Sequence, residues 1–230
     1  MMFLLKNQPE EIFNKIKSYV IFTPKENQKL ANAVDLWCGD KKKAHKLYGH
    51  ISLWDTKHIT NMDNLFESKI AFNSVISSWN VKNVKSMAFM FNFAKSFNQP
   101  LNNWDVSNVT NISYMFSFAG LFNQSLNDWD VSNVCDMHCM FFGEKSFNQD
   151  INNWDVSNVY DMHGMFFDAK SFNQNINNWD VSNVENMSNI FYYAISFNQP
   201  LNNWDVSSVE NMKDMFEGTP IKKLPKWYIN

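Results

Sequence analysis

Residues 101–125, LNNWDVSNVTNISYMFSFAGLFNQS, form one unit of a pattern that recurs along most of the chain. Its tryptophan returns every 25 residues without a slip, at Trp54, Trp79, Trp104, Trp129, Trp154, Trp179 and Trp204. Self-similarity at a fixed period of this size is the signature of stacked repeats, in which no unit buries its apolar face alone. Within the quoted unit, Trp104 and Val106 alternate with Asn103, Asp105 and Ser107, which predicts a half-buried strand. From Val109 the spacing changes to Val109, Ile112, Phe116 and Ala119, one face of a short helix. Ser107 stands where that helix needs its N-cap, and Ser182 with Glu185 and Ser207 with Glu210 have capping-box spacing. The FNQ segment then returns the chain to the next strand. Parallel strands about 4.8 Å apart on one side and short helices on the other make the expected fold α/β, a right-handed solenoid.

The L-x-x-W-x-V stretch is similar to a leucine-rich-repeat strand, with Trp in place of the middle leucine. The fuller unit, WDVSNV…NM…MF…FNQ as it stands from Trp179, resembles the mycoplasma-type repeats of the BspA-like leucine-rich-repeat surface proteins. The likeness covers about residues 51 to 217. It implies a curved solenoid and a role in binding or adhesion, without naming a ligand. One departure is that Val109 and its equivalents stand where an ordinary leucine-rich repeat has Asn. Asn123 and its equivalents (Asn73, Asn98, Asn148, Asn173 and Asn198) are the alternative source of a buried amide ladder.

Residues 1–53 do not repeat and read as a helical N-terminal cap. Thr23-Pro24-Lys25-Glu26 is a helix start, Leu30, Ala33, Val34 and Trp37 give it one apolar stripe, and Gly39 ends it. Further helices are expected at about 10–19 and 41–48. Residues 54–217 hold seven units. Residues 218–230 close the array as a half-unit, where Leu224, Trp227 and Ile229 repeat the strand frame and Pro225 discourages edge pairing. The whole is expected to be one cooperative domain.

Composition narrows the function. No apolar run approaches a membrane span. Residues 1–5 are too short for a signal-peptide core, and three cysteines make no disulfide framework, so an intracellular protein is expected. A cell or particle surface reached by an unrecognised route is the alternative. All basic side chains are Lys, and residues 101–205 hold 12 acids against two Lys, a balance that repels nucleic acid. With six Gly and no phosphate-cradling loop or paired acid and base, no enzyme is expected and no cofactor is assigned.

Three constellations have competing readings. The Trp column is read as core, against a carbohydrate-stacking platform. The column Asp55, Asp105, Asp130, Asp155, Asp180 and Asp205 is read as Asx-turns, each accepting the amide two residues on, against a row of cation sites. Cys135, His138 and Cys139, with His163 one unit on, have zinc-compatible spacing, but the corresponding positions vary freely, so no metal site is assigned. Binding is expected instead at a convex aromatic stripe of Tyr114, Phe118, Phe142, Phe167, Tyr192 and Tyr193. Its partner would be a protein or a second copy. The leading function is noncatalytic protein binding, and the alternative is a structural or adhesive surface protein reading a repetitive ligand or self-associating.

Overall fold

The computed structural model describes residues 21–228. Helix α1 spans Asn27–Gly39 and α2 spans Lys41–Tyr48, followed by a single 3-10 turn at Ile51–Leu53. The α1 stripe buries Leu30, Ala33, Val34 and Trp37 as expected. The helix starts later than the sequence suggests, because Thr23 directs its hydroxyl back to the Ile21 carbonyl and Glu26 flanks the first turn without a side-chain cap. Asp40 separates the helices: its amide donates to Leu36 O and its Oδ1 accepts from the Lys43 amide, capping α2. Trp37 seats α1 on the first unit, edge-on to Trp54 at 6.0 Å and donating through Nε1 to Ser74 Oγ. The expected helix at 10–19 lies outside the described residues.

The repeats correct the expected α/β fold. Among the described residues there is no helix in the units and no sheet. What remains of a sheet is one residue wide, a line of isolated parallel bridges through Asn61, Ser86, Asn111, Asp136, Asp161, Asn186 and Asn211. The chain is therefore not a leucine-rich-repeat-like solenoid of parallel sheet and short helices. Each unit is a succession of turns, and the units stack.

The physical reason lies in where the amides point. Tyr114 and Phe118 have φ of 54° and 52°, the left-handed region that no α-helix tolerates in its interior. The same two positions are left-handed in all seven units, from Asn64 and Ser68 to Asp214 and Gly218. Alternate amides then take different partners. Ile112, Tyr114, Phe116 and Phe118 donate to the carbonyls of Asp136, His138, Met140 and Phe142 in the next unit, at 3.1, 3.0, 2.9 and 2.8 Å. Met115, Ser117 and Ala119 donate three residues back, closing turns. A helix satisfies its amides internally; here half of them join the units. Ser107 consequently caps nothing, and neither do the Ser182–Glu185 and Ser207–Glu210 pairs.

The expected strands also lack a ladder. Trp104 and Val106 are buried as the alternation requires, but the Trp104 and Val109 amides close turns to Leu101 and Val106. Side chains cross the gap between units instead. Asn133 Nδ2 donates to Ser107 O at 2.7 Å, as Asn158 and Asn183 do one and two units on. The FNQ asparagines form a ladder too, Asn123 Oδ1 accepting from the Asn148 amide at 3.0 Å, but this row lies at the surface and is not buried.

The core is columnar. The seven repeat tryptophans are each 2–3 % exposed. From Trp79 onward each indole Nε1 donates to the carbonyl 28 residues earlier, as Trp129 does to Leu101 O at 2.9 Å. Phe66, Phe91, Phe116, Phe141, Phe166, Phe191 and Phe216 stack 5.3–6.0 Å apart. A second file, Phe72 to Phe197, packs against the first, for example Phe116 on Phe122 at 4.0 Å. At the far end Trp227 continues the indole column, 6.2 Å from Trp204 and bonded to Leu201 O. The C-terminal segment thus covers the last unit without the eighth strand the sequence suggests, and Ile229 lies outside the described residues.

Candidate interaction surface

At the two left-handed positions most side chains reach the surface, with Cys139 the buried exception. At the second of them stand Phe93 and Phe118, whose rings stack at 4.7 Å. The row then changes column. Gly143 occupies the next left-handed position, and the Phe118 ring lies over it and meets Phe142 edge-on at 5.4 Å. Phe142 stacks on Phe167 at 4.4 Å, Phe167 on Tyr192 at 4.8 Å, and Tyr192 leans on Tyr193 at 4.7 Å. Gly218 makes room beneath Tyr193 as Gly143 does beneath Phe118. One unbroken file of ring contacts therefore runs from Phe93 to Tyr193 across five units. Its ends are 39 % and 46 % exposed, and its middle rings are half-buried by one another. Leu121 and Ile195 add exposed apolar surface from neighbouring positions of the chain.

Of the six residues expected to form the stripe, five lie in this file. Tyr114 does not. It belongs to a second file at the first left-handed position, stacked on Phe89 at 4.5 Å and meeting His138 edge-on at 4.9 Å. The neighbouring, freely varying positions are partly interior, since Ser113 and Ser117 are 2 % and 1 % exposed.

Beyond Tyr114, His138 and His163 acquire aspartate partners that the spacing of histidines and cysteines does not reveal. His138 and His163 stack at 4.7 Å, and each Nδ1 bonds the aspartate two residues earlier, Asp136 at 2.6 Å and Asp161 at 3.0 Å. The Asp161 bond, joined by one to the Cys139 thiol, pushes His163 up to about 10. Cys139 is buried and donates to the His163 carbonyl, whereas Cys135 turns to Asn133 O. The helical face that was to align Cys135, His138 and Cys139 does not exist.

The Asp column makes the expected turns. Asp105, Asp130, Asp155, Asp180 and Asp205 each accept the amide two residues on, at 3.0–3.3 Å, and Asn80 does the same for Lys82. The Ser107 and Ser157 hydroxyls add a second bond and hold Asp105 and Asp155 below the usual carboxylate range. The turn sets no helix cap. Among the described residues no helix is long and apolar enough to cross a membrane.

No curated protein and no solved structure matches the chain. Two overlapping segments, residues 40–141 and 121–227, match a repeat family, and together they take in the whole turn-built stack. The match supports the mycoplasma-type repeat and goes no further toward the BspA-like proteins. By that span, the chain belongs to the family described as mycoplasma protein of unknown function, DUF285.

Proposed function

We propose that the chain is a noncatalytic interaction array that docks a protein partner on the aromatic file from Phe93 to Tyr193. The carrying observation is the continuity of that file: six rings in contact, side by side, on a surface where the same positions elsewhere hold Ser68, Asn92 and Asp168. Rigid, half-exposed aromatic rings contribute large contact area at low entropic cost, and such rings dominate binding energetics. The acidic surface of the units disfavours nucleic acid. Three free thiols, Cys38, Cys135 and Cys139, support a reducing compartment inside the cell.

A second reading, a surface protein of the BspA-like kind acting through array length, is favoured by a different observation. The Asp–Ser turn is repeated with the same bonds at Asp105, Asp130, Asp155 and Asp180, giving a uniform row suited to a repetitive ligand. The test is a triple variant, Phe142→Ser, Phe167→Ser and Tyr192→Ser, placing the residue of Ser117 at three positions. The variant should keep the wild-type melting profile and lose the proteins that wild type captures from the source cell, or the self-association seen in sedimentation. Undiminished capture by the folded variant refutes the stripe. Uptake of a glycan polymer by both proteins favours the Asp–Ser row.

A further inference from the structure

Two adjacent units depart from their neighbours at one place. Asn111 with Ser113 and Asn186 with Ser188 are replaced by Asp136 with His138 and Asp161 with His163. The backbone turn is the same in all four. The first residue accepts the amide two residues on, at 2.8 and 3.1 Å for the Asn pairs and 3.1 and 2.9 Å for the Asp pairs. The fold therefore needs neither Asp nor His there. What the replacement adds is a pair of parallel imidazoles, 12° apart in plane, with carboxylates at both and with side chains 22 % and 34 % exposed.

One ligating atom from each of His138, Asp161 and His163 lies within 4.8 Å of the other two. Asp161 and His163 are already 3.0 Å apart, close to the roughly 3.3 Å between neighbouring ligands around an ion with 2.0–2.1 Å bonds. Asp136 holds His138 through Nδ1 at 2.6 Å, which leaves Nε2 as the ring nitrogen available to a metal. A carboxylate on one nitrogen is how proteins orient a histidine toward a metal. Beside the pair, the Tyr114 ring meets His138 edge-on and the buried Cys139 thiol donates to the His163 carbonyl. Gly164 gives the Cys139 sulfur its space, since a β-carbon there would stand 3.0 Å from Sγ.

We propose that His138, His163 and Asp161 bind one divalent ion of the zinc class, with Asp136 as the positioning carboxylate. Two imidazoles and one carboxylate suit zinc, nickel or copper and not calcium or magnesium. The ion takes the place of the proton between Asp161 and His163, with His138 as the third ligand and water in the remaining position. The assignment replaces the reading in which these freely varying positions hold no metal. It is independent of the aromatic file, and neither test bears on the other.

Zinc chloride titrated into the full chain should show saturable uptake of one ion per chain by calorimetry, with cobalt giving the visible absorption of a low-coordinate site. The variant His138→Ser with His163→Ser, carrying the residue found at Ser113 and Ser188, should lose that uptake. Asp136→Asn should weaken it by about 10–100-fold. Histidine ring signals in the wild-type NMR spectrum decide the matter even where a variant fails to fold. Zinc should move His138 and His163 and leave His45, His50 and His58 in place. Absence of saturable uptake, uptake unchanged in the double Ser variant, or movement of the His45–His50 pair in their stead overturns the proposal.

Discussion

The Phe118 ring occupies the space that a side chain on Gly143 would need: a β-carbon there would stand 2.4 Å from Phe118 Cε1 and 2.6 Å from Cδ1. Gly143 also has φ of 65°, but its column tolerates left-handed Phe93, Asp168 and Tyr193, so the contact and not the backbone makes glycine necessary here. Gly143→Ala should therefore push Phe118 off Phe142 and cost about 1–3 kcal/mol. In a double-mutant cycle with Phe118→Ala most of that cost should vanish. Equal costs with and without the ring would place the strain in the backbone.

Glu144 is the single carboxylate in a column that otherwise holds Ala94, Ala119, Ala169 and Ala194 in the interior units. Its residue is 0 % exposed, one oxygen accepts the Ser146 amide at 2.9 Å, and Oε2 has no partner. Burial pushes the carboxyl up to about 7 from 4.5, against the opposing pull of the Ser146, Phe147 and Lys145 amides. The folded state then holds a proton that the unfolded chain releases. This contribution is fully present below about 4.5 and lost as pH rises to about 7, a difference of about 3 kcal/mol at most. Glu144→Ala should abolish that slope, so its stability relative to wild type should be greater at pH 8 than at pH 5. Denaturant midpoints at both pH values measure this, and parallel pH profiles would count against it.

Phe141 lies at the centre of its file, between Phe116 and Phe166 and against Phe147. Phe141→Ala should cost about 3–5 kcal/mol. Because each unit touches only its neighbours, the loss should also uncouple the two halves, broadening one thermal transition toward two. The same substitution at Phe216, in the last unit, should cost less and leave a single transition. Calorimetry distinguishes the two profiles.

The Asp column has no need of a cation, since each of the five turns from Asp105 to Asp205 satisfies a carboxylate oxygen internally. The melting temperature should be indifferent to millimolar calcium. A calcium-dependent rise of several degrees that Asp130→Asn and Asp155→Asn remove would show the row to be a site.

What the sequence made legible is the set of buried positions. Trp104, Val106, Val109, Ile112, Phe116, Ala119 and Phe122 are all interior, because burial follows from apolarity and repetition whatever the backbone does. The helix was misread because i, i+3, i+7 spacing is produced equally by consecutive turns that close three residues back. The distinguishing signal is present in the residues at the two left-handed positions. Asn64, Gly164, Asn189 and Asp214 at one, and Gly143, Asp168 and Gly218 at the other, are the types that tolerate positive φ. In the quoted unit those positions hold Tyr114 and Phe118, which hide the signal. The aromatic file was legible in its members but not in its path, since the step from Phe118 to Phe142 depends on Gly143. His138 and His163 were legible as a pair one unit apart, but their aspartates were not, since Asp136 and Asp161 lie in a column whose other members are Asn and Ser.

Main-chain and indole bonds between units join residues 24 to 28 apart: backbone amides to carbonyls 24 on, bridges at 25, indoles to carbonyls 28 back. Length is consequently not written into any single contact. Cutting out 25 residues at matching points, such as 129–153, rejoins Asp128 to Trp154 with each remaining donor facing an equivalent acceptor, whereas removing 24 or 26 puts the contacts across the junction one residue out of register. A chain of this kind can gain or lose whole 25-residue units and still bring every column into register.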